Sequence, residues 1–469
     1  MTKTGKIVIL GAGPTGLGAA HRLHELGYED VSLFEKEATA GGLAASFTDE
    51  QGFTWDIGGH VQFSHYTYFD KLMEELLKDE WLHHERESWV WYGDRFIPYP
   101  FQYNVRHLPE EEKRACLRGV LQLAANPPKE KPANFHEWIL AQFGQGIADV
   151  FMFPYNYKTW AYPPSHLDCG WMGERVAPIN LERFVFNILD GKDDISWGPN
   201  NTFHFPKRGG TGEIWRRLAK KLPQKWLNFE KELQEIKTKE KCLVFKDGHE
   251  ATYDKLISTM PLDVLIKCSD LSTETKKEAK KLIYSKVNVF GIGLSGKPRK
   301  DVEKKCWMYF PENTSPYFRA TVFSNYSPNN VPDISTQWSL MVEVSESPQK
   351  AVDKATIKDE VIQGLLNTRL IEDKDQIIDF WQYETDHGYP TPFLGRDKVL
   401  NKLLPTLEEI EIFSRGRFGA WKYEVSNQDH SLMQGVEVVD KILKGIDEET
   451  LLQPNFVNSR KKKANLSER

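Results

Sequence analysis

The chain contains no apolar run near the roughly 18 residues that a membrane-spanning helix needs, so a helical span is not expected. Cysteine is scarce and scattered, with Cys116, Cys169, Cys242, Cys268 and Cys306 the only five in 469 residues. Their number is odd, none form a CxxC pair, and no His/Cys cluster accompanies them; neither a disulfide framework nor a metal site is indicated. There is no basic excess either. Sixty-one Lys and Arg stand against 67 Asp and Glu, a net charge of -6, and nothing overall points to nucleic acid. The single basic run, Arg460-Lys461-Lys462-Lys463, lies in a terminal stretch without apolar periodicity and reads as a flexible tail. Internal repeats, long low-complexity linkers and a secretory leader pattern are lacking as well. These absences lead to the expectation of a cytoplasmic globular protein of two or three domains. Aromatic residues are plentiful by contrast, with 14 Trp, 17 Tyr and 26 Phe.

The most informative segment is the first 66 residues. Lys6-Ile7-Val8-Ile9-Leu10 reads as a buried strand and is followed at once by Gly11-Ala12-Gly13-Pro14-Thr15-Gly16. Leu17, Ala20, Leu23 and Leu26 then recur at helical spacing, and Glu35 ends the next apolar run. This is a dinucleotide fingerprint in its full context of strand, glycine turn, helix and acid. Gly11 permits the tight turn, Gly13 lets a pyrophosphate approach the backbone, and Gly16 lets helix and strand pack closely. The helix N-terminus attracts the phosphates, and Glu35 can accept from a ribose hydroxyl. NAD and FAD sites share these features. Gly41-Gly42-Leu43 and Asp56-Ile57-Gly58-Gly59-His60 then follow, and that continuation resembles FAD-dependent proteins of the amine-oxidase clan.

Farther along, the pattern turns helical from about Leu108 to Asp190. Pro109-Glu110-Glu111-Glu112 places a proline and acids in a first turn. Asn134 precedes a second helix, and Leu181 to Leu189 form a third. Pro206-Lys207-Arg208-Gly209-Gly210-Thr211-Gly212 lacks the GK[ST] ending of a phosphate loop and reads as a structural turn. Leu243 to Phe245 and Tyr253 to Thr259 read as strands returning to the first fold. Val287 to Ile292, Ala320 to Phe323, Ser339 to Val344 and Ile377 to Trp381 make a strand-rich stretch. The expected fold is α/β: a Rossmann-like FAD-binding domain of amine-oxidase type, with a helical insertion and an antiparallel β-sheet substrate domain. Its segments are 1–95, 205–282 and 410–455 for FAD, 96–204 for the insertion, 283–409 for the sheet and 456–469 for the tail.

Several short blocks combine arginine, aromatic and amide residues. Arginine offers a planar fork for phosphate, tyrosine a hydroxyl on a rigid ring, and aromatic faces a stacking surface. Such a set suits a ligand with phosphates and a flat base, although each block alone is also compatible with core packing. The blocks include PYPFQ (98–102), PYNYKTWA (154–161), GERVAP (173–178), GPNNTFHFPKRGGTG (198–212), FRATVFSNYSP (318–328), HGYPTP (387–392) and SRGRFGAWKYEVSNQDHS (414–431). With GGHVQFSHY (58–66) they resemble the eukaryotic UDP-galactopyranose mutase family over nearly the whole chain, from Ile7 to about Gly445.

The resemblance implies a redox-neutral isomerase that interconverts UDP-galactopyranose and UDP-galactofuranose, with N5 of reduced FAD as nucleophile at the anomeric carbon and NADPH as reductant. It implies that Gly11, Gly13, Gly16, Glu35, Gly42, Leu43, Gly58 and Gly59 hold FAD, closed on the far side by Arg417, Asn427 and Gln428. His60 is implied beside the isoalloxazine. Tyr99, Phe101, Gln102, Asn156 and Trp160 are implied in the uridine pocket. Arg175 and Arg319 are implied as a diphosphate clamp, helped by Tyr309, Tyr326, Tyr389 and Tyr423. Asn200 is implied at the sugar or its phosphate, Trp307 at the sugar, and Arg86 and Ser88 at the 2′-phosphate of NADPH. One departure is visible: Gln62 stands where an apolar residue is expected. Two rival readings share the flavin fold, namely an oxidising amine oxidase or desaturase and an inactive flavin-binding scaffold. Oligomeric state and the glycan that receives the furanose are left open.

Overall fold

The Ile7–Leu10 strand is buried along its whole length and lies at the centre of a five-stranded parallel sheet in the computed structural model. The structure describes residues 5–173, 176–195 and 201–459. Ile7–Leu10 pairs with Val31–Phe34 on one side and Lys255–Ser258 on the other, and Leu227–Asn228 and Ile412–Ser414 form the edges. A continuous apolar strand is what a parallel sheet covered on both faces requires. The helix Pro14–Glu25 follows with proline in its first turn. It packs on the helix Gln428–Lys444 so closely that a Cβ on Gly435 would lie 2.0 Å from the Thr15 carbonyl oxygen. The long helix that follows the Ile412–Ser414 edge strand is thus pressed against the first helix.

The second layer is a seven-stranded sheet. Ile377–Pro390, Tyr284–Ser295, Gln337–Glu346, Arg319–Val322 and Trp307–Tyr309 run antiparallel in that order, and Ser88–Tyr92 and Arg95–Pro98 complete it. Only the junction of Trp307–Tyr309 with Ser88–Tyr92 is parallel. The hairpin 88–98 departs from the sequence-based division, which splits it between the first flavin segment and the helical insertion. Gly93 and Asp94 both take positive φ at its tip (55° and 59°), the geometry that suits a two-residue hairpin loop. Trp91 and Ile97 are buried and partner the sheet. A second difference concerns Cys242–Phe245, which joins Leu233–Lys237 and Glu250–Thr252 in a separate antiparallel sheet. Of the two returning strands, only Lys255–Ser258 enters the parallel sheet.

The helical stretch forms as its capping signals predict. Glu110–Ala125 starts after Pro109, Phe135–Ile147 is capped by the Asn134 side chain accepting from Glu137 N (3.0 Å), and Leu181–Leu189 is capped by Asn180. These helices enclose a core that includes Phe101, Phe135, Phe143 and Trp160.

The glycine turn at 206–212 is fastened to the segment before the Gly-Gly-His residues. Asp56, fully buried, accepts from Thr211 N (3.2 Å) and from the Ser46 hydroxyl, which in turn accepts from Gly212 N (2.7 Å). Burial pushes the Asp56 carboxyl up to about 7, against the opposing pull of its hydrogen bonds to Ser46 and Thr211. A carboxyl with a raised folded value keeps a proton that the unfolded chain releases. Its contribution is therefore complete below about pH 4 and is lost as pH rises to about 7. Calorimetry from pH 5 to 8 should show Asp56→Asn losing stability less steeply than the wild type, by up to about 1.4 kcal/mol per pH unit. Equal slopes would mean that Asp56 is already ionised at pH 5.

Candidate active site

At the nucleotide end the fingerprint has become a backbone cradle. A Cβ on Gly16 would lie 1.9 Å from the Gly11 carbonyl oxygen, and one on Gly42 3.2 Å from Gly13 Cα. Only hydrogen fits at Gly16, and at Gly42 a side chain would crowd Gly13 and require a left-handed backbone (φ 53°), so the Pro14–Glu25 helix N-terminus and the Gly41-Gly42 turn face each other through main chain. Glu35 is buried, accepts from Ala12 N (2.7 Å) and Glu37 N (3.0 Å), and is raised in pKa by desolvation. A carboxylate has roughly four lone-pair positions, so capacity for a ribose hydroxyl remains. Leu43 is half-buried against an apolar core that includes Val8, Leu10 and Phe34. On the far side Asn427 precedes the helix Gln428–Lys444 without capping it through its side chain. Gln428 Oε1 accepts from Trp215 Nε1 (2.9 Å). Arg417 donates to Gly388 O (2.8 Å) and Ser426 Oγ (2.8 Å). The donor set and the all-backbone cradle fit a flavin dinucleotide.

The segment from Gly58 to Tyr66 crosses between the two sheets and is fixed near both ends by carboxylates. Gly59 N donates to Glu343 Oε1 (3.0 Å). At the other end Asp429 Oδ2 accepts from both His65 N (3.0 Å) and His65 Nδ1 (2.8 Å), and the His65 ring lies 4.7 Å from that of His430. His65, Asp429 and His430 bring one ligand-type atom each within 4.8 Å, all buried. The Asp429 carboxylate is taken up by these histidine contacts, which hold its pKa far below the usual range despite burial. Tyr66 adds a bond from its hydroxyl to Thr450 Oγ1 (2.7 Å). Between the anchors, His60 has a buried Nδ1 without a partner among the described residues. Burial and the Arg319 and Arg417 guanidiniums push its pKa down to about 3, so His60 is a neutral imidazole at physiological pH.

Arg319 lies beside this loop, opposite Glu343 in the strand register. Its Nε and Nη2 each reach a Glu343 oxygen at 2.7 Å, a bidentate pair with planar complementarity. Its guanidinium carbon stands 5.1 Å from the Trp307 ring centre. Tyr309 pairs with Arg319 across the strands, and its ring lies 5.3 Å from Tyr99 and 5.2 Å from Tyr155. Trp160 meets Trp171 at 4.9 Å, Tyr423 at 4.8 Å and Tyr389 at 5.7 Å, and Arg417 lies 5.1 Å over Tyr389. Burial raises the pKa of Tyr99, Tyr309 and Tyr389, which keeps their hydroxyls protonated as donors.

The remaining expected residues divide. Arg86 stands 5.6 Å over the Tyr99 ring, and the buried Ser88 hydroxyl has no partner among the described residues. Ser88 is the register partner of Trp307 and Arg86 lies over Tyr99, so both share a wall with the substrate residues. Phe101 is wholly buried and stacks on Phe151 at 4.6 Å, a core position. Gln102 Nε2 donates to Ala177 O (2.9 Å) and Asn156 Nδ2 to Met152 O (2.8 Å). Tyr326 packs among Phe203, Phe205 and Phe323. Arg175 and Asn200 lie outside the described residues, as does the 460–463 run. Sequence reasoning passed over Glu343, Asp429 and Trp171. Glu343 had a signal, being a lone acid inside the apolar run Trp338 to Val344.

The model of flavin-containing amine oxidoreductases matches residues 14–377. The chain is also similar to a crystal structure of reduced UDP-galactopyranose mutase, at 49% identity and a TM-score of 0.94 over 97% of each chain. The chain belongs to the UDP-galactopyranose mutase branch of the flavin-containing amine oxidoreductase family. A putative protoporphyrinogen oxidase from Exiguobacterium sp. 255-15 shares the fold, at 15% identity and a TM-score of 0.71 over 93% of this chain and 98% of that one. Among curated proteins, 15-cis-phytoene desaturase of Capsicum annuum is 24% identical over 56% of this chain. Zeta-carotene desaturase of Zea mays is 38% identical over 16%. The matched parts span only 47% and 13% of those two desaturases. In this mutase-branch flavoprotein no described helix is long and apolar enough to cross a membrane.

Breaking a buried ion pair from one side strands the other charge, at about 3–5 kcal/mol. Urea unfolding of Glu343→Ala should show a loss of that order. The Arg319→Ala/Glu343→Ala double variant should lose clearly less than the sum of the two single variants. Additive losses would show that the pair contributes no mutual stabilisation.

Proposed function

We propose that this protein is a UDP-galactopyranose mutase, reversibly converting UDP-galactopyranose to UDP-galactofuranose without net oxidation. The observation that carries the reading is the state of Arg319. Glu343 holds it along the Nε–Nη2 edge, and Nη1 makes no hydrogen bond among the described residues. A guanidinium so fixed, next to the Gly-Gly-His loop and walled by tyrosines, is preorganised for a departing diphosphate. The 49% identity to a mutase over 97% of the chain supports the same reading.

FAD is assigned to residues 1–87, 205–282 and 410–455, uridine to the 99–204 insertion, and the other substrate contacts to 283–409 together with the 88–98 hairpin. Gly11, Gly13, Gly16, Glu35, Gly42, Leu43, Gly58 and Gly59 would hold the cofactor, with Arg417, Asn427 and Gln428 opposite. Reduced FAD, when bound, supplies a nucleophilic nitrogen, N5, for the anomeric carbon of the sugar. The chain's own residues position and stabilise. Arg319, with Arg175, clamps the diphosphate as it leaves and returns. Tyr309, Tyr389 and Tyr423 donate from their hydroxyls to its oxygens. Tyr99, Gln102, Asn156 and Trp160 set the uridine, and Trp307 and Asn200 border the sugar. Neutral His60, with an unpartnered ring nitrogen, can accept or return a proton between cofactor and sugar hydroxyl. NADPH is the proposed reductant, with Arg86 and Ser88 at its 2′-phosphate; because they share a wall with Tyr99 and Trp307, reductant and substrate would occupy the site in turn.

Anaerobic dithionite-reduced protein should convert UDP-galactofuranose to UDP-galactopyranose while the flavin stays reduced, and oxidised protein should not. Equal turnover in both redox states would sink the reading, and oxygen uptake in step with product would favour an oxidase. Arg319→Ala should lose about 30- to 1000-fold in kcat, the equivalent of about 2–4 kcal/mol, with its flavin content kept. Near-normal kinetics would remove Arg319 from the clamp.

A further inference from the structure

Gln62 lies midway along the Gly58–Tyr66 segment, two residues past His60. It is 3% exposed, yet neither its amide oxygen nor its amide nitrogen has a partner among the described residues. Its main chain is held firmly: Gln62 N donates to His204 O (3.0 Å), and Gln62 O accepts from His204 N (2.9 Å). Other buried amides here are bonded. Gln102 donates to Ala177 O, Asn104 to three carbonyls, and Gln434 both accepts from Gly416 N and donates to Val425 O. A buried amide with neither group satisfied loses its hydrogen bonds to water and gains nothing in return. An apolar side chain of the same size would avoid that cost, and the family resemblance leads to an apolar residue at this position.

Three other unpartnered buried polar atoms belong to the same site: His60 Nδ1, Ser88 Oγ and Trp307 Nε1. Each is a group for which the site offers no protein partner. Local rules broken in this way concentrate where a ligand completes the structure.

We propose that Gln62 is a specificity-determining residue that hydrogen-bonds hydroxyl groups of the sugar moiety of the nucleotide sugar. The inference rests on the mutase reading above and names a contact within it. A neutral amide that donates and accepts matches a hydroxyl, which does both. It does not match a diphosphate, for which the charged Nη1 of Arg319 is present. Its position agrees: Gln62 follows His60 by two residues in the segment whose Gly59 N–H shares Glu343 with Arg319.

The test uses reduced holoenzyme carrying Gln62→Met, nearly isosteric and without the amide, with Gln62→Leu as a second variant should the first lose flavin. Wild type and variants are compared for binding of UDP and of UDP-galactopyranose, for kcat/KM, and for Tm of the oxidised, ligand-free form. UDP-galactopyranose binding and kcat/KM should weaken about tenfold, while UDP binding changes by less than about twofold. The ligand-free Tm should rise by about 1–2 °C, because an unsatisfied polar group has gone. Unchanged kcat/KM with a raised Tm would overturn the proposal and leave Gln62 a structural leftover. Equal weakening toward UDP and UDP-galactopyranose would overturn it too, by placing the effect on the loop as a whole. Failure of the wild-type protein to interconvert the sugars would bring down the mutase reading itself, and that result is read before any variant is made.

Discussion

The Arg319–Glu343 pair is the interaction on which the site depends. It joins two neighbouring strands of the seven-stranded sheet, and its carboxylate also receives the Gly59 main-chain N–H. One buried acid therefore sets both the arginine that faces the substrate space and the start of the Gly-Gly-His loop. In a low-dielectric interior neither charge is tolerable alone. The pair also decides what the arginine can do. Two of its nitrogens are spent on orientation, and the third is left to meet an anion with little reorganisation.

The rest of the molecule supplies two rigid borders for that centre. One is the parallel sheet with its helices Pro14–Glu25 and Gln428–Lys444 in close contact at Thr15 and Gly435, which fixes the nucleotide cradle against the helix start that carries Asn427, Gln428 and Asp429. The other is the aromatic wall from Tyr99 through Tyr309 to Tyr389 and Trp160, gathered from four separate stretches of chain. The Gly58–Tyr66 segment bridges the borders. Asp429 holds its far end, Glu343 its near end, and the unpaired polar atoms of His60 and Gln62 lie between.

Much of the fold was legible in the sequence because local rules decide it. A four-residue apolar run, a glycine turn and a helix with proline at its start specify the first βαβ unit wherever they occur. The cap at Asn134 places its helix for the same reason. The 88–98 hairpin was misassigned because its local signal, Gly93-Asp94, says only that the chain reverses and not which sheet the reversed strands join. The same holds for Cys242–Phe245, where an apolar run specifies a strand but no partner. Within the site, Phe101 is an aromatic of a binding motif whose ring stacks on Phe151 in the core, a placement that no local pattern specifies.

The sequence by itself determined the flavin-type α/β class, the glycine cradle and the residue types suited to a diphosphate and a flat base, because each of these rests on neighbours within a few positions. Only the tertiary structure decided which of those residues meet. That Arg319 is oriented by Glu343, that His65 is bound to Asp429 across 364 positions, and that Gln62 is buried without partners follow from strand order and helix packing. A linear pattern cannot show them, because the free energy of a buried charge or amide is set by what lies beside it in space.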